Sequence, residues 1–127
     1  MKHFRKIMLI TYLWAALSAA AATDCSLVAV GSTAYIRATK AVSRLPEFRA
    51  WSRTHSFPIA FIAEFDRQVV VEGRCYWSVS VYANRPERLG LWNVFAVRDP
   101  GGVTYVDNPI DGTFIPLKAW RSKLLHR

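Results

Sequence analysis

From Ser32 to Arg53 apolar residues recur at helical intervals, at Ala34, Ala38, Ala41, Val42, Leu45, Phe48 and Trp51. That spacing predicts an amphipathic helical region. Ser32 or Thr33 can cap its start by accepting a hydrogen bond from a free backbone N–H. Pro46 interrupts the run, because it has no N–H for the helix ladder and drives Leu45 into extended backbone. The expectation is two helices or one bent helix, with Pro46 at the first position of the second and Glu47 at its positive end. Arg37, Lys40, Arg44, Arg49 and Arg53 fall mostly between the apolar positions and predict a solvated basic face.

After Thr54 the period changes to two. Ile59 to Phe65 and Gln68 to Glu72 read as short strands, and Glu72-Gly73 as a turn or bulge. The clearest strand runs from Arg74 to Ala83. Cys75, Trp77, Val79, Val81 and Ala83 share one face and predict a core against the helix, with Trp77 its surest member. Tyr76, Ser78, Ser80 and Tyr82 share the other face, read as a half-wet strip or one covered by a partner. A polar loop, Asn84 to Arg88, leads to a second strong strand, Leu91 to Arg98. Asp99-Pro100-Gly101-Gly102 then turns the chain into an antiparallel return, Val103 to Asp107. Thr113 to Leu117 follows another turn, and Ala119 to Leu125 reads as a short terminal helix carrying Trp120.

A bent helix or helix pair, then a meander of four or five antiparallel strands and a short C-terminal helix, predicts an α+β domain. The order Leu-Pro-Glu-x-x-x-Trp (Leu45 to Trp51), then Trp77-x-Val79-x-Val81, then Phe95-x-Val97 with a Gly101-Gly102 turn and Val106, resembles small periplasmic helix-plus-sheet modules. The PepSY domains are one such family, and cystatin-like and NTF2-like proteins share the layout. The resemblance covers roughly residues 34 to 107 and rests on element order and core spacing. It implies a class that includes inhibitors, propeptide-like modules and immunity proteins against secreted toxins, among which fold alone does not choose.

The first 22 residues change the setting. Lys2, Arg5 and Lys6 precede an apolar run, Ile7 to Leu17, that closes on Ser18-Ala19-Ala20-Ala21-Ala22. This is the order of a secretory signal peptide, with cleavage expected before Thr23. The run is shorter than the ~20 residues that span a bilayer, so stable membrane insertion of the mature chain is not expected. Residues 23–127 are then one domain. Three of the 17 basic residues leave with the leader, so 14 face 9 acids and the net charge is about +5. These charges are scattered singly, without the stripe that tracks a phosphate backbone, and no nucleic-acid partner is expected. In an oxidising compartment the two cysteines, Cys25 and Cys75, are expected to form one disulfide.

Little catalytic chemistry is legible. The mature chain keeps only His55 and His126, has no Gly-x-Ser-x-Gly elbow, and is expected to use both cysteines structurally. His55 reads as a solvated or capping loop residue. Metal-ligand spacings are missing, and Asp107, Asn108, Asp111 and Gly112 read as a plain turn, so neither metal nor cofactor is expected. Glu64 and Asp66 read as water-facing acids on one face of a strand rather than as a glycosidase pair.

What remains is a surplus of contact residues. Tyr76, Tyr82, Arg85, Arg88 and Trp92 fall around one loop and its strands and form the candidate protein-binding face. The leading expectation is an exported, non-enzymatic binding protein of a bacterium, periplasmic or secreted, that inhibits or gives immunity against a secreted toxin or hydrolase. A ligand-binding pocket protein and a structural envelope component are the alternatives. An aromatic cavity with convergent polar groups would favour the pocket protein, and a filled core the inhibitor.

Overall fold

The computed structural model describes residues 25–108 and 110–125. The expected leader and its cleavage site lie outside the described residues. The architecture is α+β: α1 (Thr33–Ser43), α2 (Pro46–Ser52), β1 (Ile59–Ile62), β2 (Val69–Val71), β3 (Arg74–Asn84), β4 (Leu89–Arg98), β5 (Gly102–Asp107), β6 (Phe114–Pro116) and α3 (Leu117–Leu125).

Capping and proline geometry set the helices. Ser32 is extended and its Oγ accepts from the Tyr35 N–H at 3.2 Å, which starts α1. Leu45 is extended ahead of Pro46, which opens α2 as a separate helix rather than a bend. The buried stripe of α1 is Tyr35, Ala38 and Val42. Tyr35 belongs to the core although its sequence position left it unassigned.

Six strands, more than the four or five expected, form one antiparallel sheet in the order β1-β3-β4-β5-β6, with β2 also paired to β3. β1 lies against Ile59-paired Ala83 through Ser80, and β2 lies against Tyr76 to Arg74. The strand expected from Ile59 to Phe65 stops at Ile62, so Glu64 and Asp66 sit in the connecting loop and not on a strand face. That loop is held by the chain ahead of α1: Val28 N–H donates to Asp66 O at 2.8 Å, and Gln68 N–H to Ser26 O at 2.9 Å. Cys25 and Cys75 meet as a disulfide pair beside it, with Cα atoms 5.5 Å apart. The β2–β3 turn needs two residues of positive φ, Glu72 at 50° and Gly73 at 75°. Both signs fit the primed turns that match strand twist.

The helices pack on one sheet face. Trp77, Val79, Val81, Phe95, Val97 and Val106 meet Tyr35, Ala38, Val42, Leu45, Phe48 and Trp120 in a single core. α1 is tied to the β4–β5 turn by Arg37, which grips both carboxylate oxygens of Asp99 at 2.7–3.0 Å. α3 begins at Leu117, two residues earlier than expected, and Arg121 holds Glu47 of α2 at 2.7 Å.

The opposite face is drier than its pattern predicts. Tyr76 is 3% exposed, Ser78 5% and Ser80 0%. The cover comes from the chain's own side chains. Glu64 folds back from the loop to accept from the hydroxyls of Ser80 and Tyr82. Tyr76 meets Tyr105 edge-on at 5.3 Å, and the Tyr105 hydroxyl donates to Glu72. Serines flanked by such long side chains are shaded by them.

Candidate functional site

The site begins with an irregularity in strand pairing. Val81 pairs with Asn93 and Tyr82 with Leu91, so Trp92 is left over as a β-bulge. A bulge turns two consecutive residues towards the same side. Trp92 thereby joins the helix face, where it meets Phe48, Phe95 and Trp120 at 5.5–6.1 Å and stacks on Trp51 at 4.6 Å. Asn93 turns towards the same region.

Recesses lie on both sides of this Trp51–Trp92 ridge. On one side is a groove of about 330 Å³, lined by Trp51, Ala83, Arg85, Arg88 and the run Leu89 to Trp92. Residues 85–88 close the β3–β4 hairpin tightly, with the Arg85 N–H shared between Ala83 O and Arg88 O at 3.1 Å. The Arg85 guanidinium folds back over Phe57, 5.5 Å from the ring centre, a cation–π arrangement. Leu89 and Leu91 stand 48% and 54% exposed beside it.

The groove also borders an open strand edge. β5 pairs with β4 only from Phe95 to Arg98. Among the described residues no strand covers Leu89 to Val94 on the side away from β3. Such an edge presents unused backbone donors and acceptors.

On the other side of the ridge is a cleft of about 550 Å³. It forms where β4 and β5 cease to pair, below Phe95 and Val106. Trp51, Trp92 and Trp120 line it with Asn93, Asp107 and Glu47. One carboxylate oxygen of Asp107 is buried with no hydrogen-bond partner among the described residues. Burial, reinforced by the like charge of Asp111, holds the Asp107 carboxyl above the usual range. His55 is neither the solvated nor the capping loop residue expected. It lies edge-on to Trp51 at 4.7 Å, and both ring nitrogens are buried without partners among the described residues.

The structure therefore divides the expected binding face. It brings Arg85, Arg88 and Trp92 together around one groove. Tyr76 and Tyr82 lie on the far face of the sheet, held by Tyr105 and Glu64. Trp92 is also more deeply built into the core than an expendable surface anchor. Sequence reading missed Trp51, Trp120 and Asp107 as site residues; the concentration of tryptophan was the available signal. Cys25 and Cys75 are paired with each other and leave no thiol chemistry. Among the described residues no cluster of three metal-ligating side chains occurs, and no helix is long and apolar enough to cross a membrane.

No family model, curated protein or solved structure matches this chain.

Proposed function

We propose that the chain is an exported, non-enzymatic bacterial binding protein that engages a protein partner at the exposed part of β4. The observation that carries this reading is the uncovered edge from Leu89 to Val94, set beside two exposed leucines and two arginines. An extended partner segment added there would satisfy the edge by backbone hydrogen bonds. Leu89 and Leu91 would supply apolar contact, and Arg85 and Arg88 would reach carbonyl or acidic groups. Occlusion of a secreted toxin or hydrolase, as an inhibitor or immunity protein does, is the role best matched to such a surface in an exported domain. A hairpin wedge thrust into an enzyme cleft is a poorer match, because Arg85 folds back over Phe57 instead of projecting.

The test is capture from the envelope and secreted fractions of the producing bacterium, with residues 23–127 as bait. Wild-type bait is expected to retain a defined protein. Arg88→Ala and Leu91→Lys baits, equally folded by circular dichroism, are expected to lose it. Retention by both variants would overturn the assignment. The second reading, a pocket protein, is favoured by a different observation, the tryptophan-lined cleft on the other side of the ridge.

A further inference from the structure

The charged groups around the cleft between α2, α3 and the diverging ends of β4 and β5 are unevenly matched. Glu47 is held by Arg121 at 2.7 Å. Asp111 is held below the usual carboxylate range chiefly by hydrogen bonds from Thr113, with a smaller part from the charge of Lys123, which lines the cleft. Asp107 has no cationic partner among the described residues, and one of its oxygens is buried without a donor. A carboxylate in that position is short of compensation.

The walls around it are indoles. Trp51 and Trp92 lie within 7° of parallel, and Trp120 is turned 73° from Trp92. Rings from two directions beside an acid are the arrangement that holds a cation by its charge and its apolar shell together. A neutral apolar guest would fill the space and leave Asp107 uncompensated. A neutral sugar would give it a hydrogen bond but no charge. From this geometry we infer that the cleft binds a small organic cation, a free quaternary ammonium or protonated amine, with its charged head against Asp107 and its carbon shell against Trp51, Trp92 and Trp120. Asn93 and Asn108, which line the same cleft, can hydrogen-bond a hydroxyl or carbonyl on the ligand's tail. A cleft of about 550 Å³ suits a guest of this size. The cleft adjoins the β4 edge and shares Trp92 and Asn93 with it, whereas Arg85, Arg88, Leu89 and Leu91 lie in the groove across the ridge.

The test is titration of the purified mature protein with choline, followed by tryptophan fluorescence and calorimetry. The control is choline's uncharged isostere, in which a tert-butyl group replaces the trimethylammonium. Choline is expected to bind at least about tenfold more tightly than the isostere. Asp107→Asn should remove that preference and leave binding of the isostere unchanged. Arg88→Ala should leave choline binding intact, which separates this site from the groove across the ridge. Equal affinity for choline and isostere would overturn the proposal, and this comparison needs no variant. So would an unaltered preference in a folded Asp107→Asn protein, tighter binding of neutral sugars, or a lack of choline binding at millimolar concentrations.

Discussion

Trp51 of α2 and Trp92 of β4 stack with ring centres 4.6 Å apart and planes 7° from parallel. The contact exists because a bulge sends Trp92 to the helix face, and it makes the partition between two recesses. Each ring is half-buried, and Trp92 also touches Phe48, Phe95 and Trp120.

Replacing Trp92 by Ala is therefore expected to cost stability as well as contact area. The loss should be about 3 kcal/mol in urea denaturation, the lower end of aromatic-to-Ala changes because the ring is partly exposed. Trp77→Ala, in the buried core, should cost about 3–5 kcal/mol. Equal stability of Trp92→Ala and wild type would show that the ridge contributes nothing to the fold.

The Cys25–Cys75 pair closes a separation of 50 residues. Reduction, or replacement of both residues by Ser, should lower unfolding stability by about 4 kcal/mol on the chain-entropy account. Native protein should show no alkylatable thiol before reduction. Two reactive thiols in the native protein would contradict the bridge.

Tyr105 should titrate late. Its hydroxyl donates to Glu72, and that hydrogen bond, with desolvation and the charge of Glu72, pushes its pKa up to about 12. Because the folded value lies above the ordinary one near 10, the folded state holds this proton more tightly. The associated stability is present below pH ~10 and is lost as pH rises through about 12. Tyr82, hydrogen-bonded to Glu64, and buried Tyr35 are raised as well. Ultraviolet difference titration should therefore show a late group of phenols, from which Glu72→Gln brings one back towards the ordinary range. An identical late group in wild type and Glu72→Gln would count against the Glu72 contact.

Asp107→Asn should stabilise the free protein at neutral pH. Burial raises the pKa of this acid, so the folded state prefers its proton and charging it opposes folding. The gain from Asn should be greatest above the folded value and fade as pH falls below the ordinary carboxylate range. Melting temperatures of both proteins across pH measure it. A neutral-pH loss would mean that the carboxylate is satisfied in solution.

Much of the fold is legible in the residues. Helical spacing followed by alternation separates the helix pair from the sheet, and Pro46 marks where the first helix ends. Trp77, Val79 and Val81 announce the core because every second position is large and apolar. The far face defeats the same logic. Ser78 and Ser80 look wet on a period of two, yet Glu64 returns from a loop to cover Ser80, an arrangement set by tertiary structure. Trp92 is misplaced for a related reason: alternation holds only while pairing is regular, and the bulge beside Val81 and Tyr82 breaks it. Asp107 reads as part of a turn in the sequence because its cleft arises from two strands parting, which no local pattern records.

The exposed edge of β4 is where the proposed partner docks. Hydrogen–deuterium exchange of residues 23–127, free and bound to a captured partner, reads that edge amide by amide. Strand addition should slow exchange within Leu89 to Val94 in the complex. If that segment exchanges alike in both states while amides of α1 or the 63–68 loop become protected, the partner docks elsewhere and the proposed binding surface is wrong.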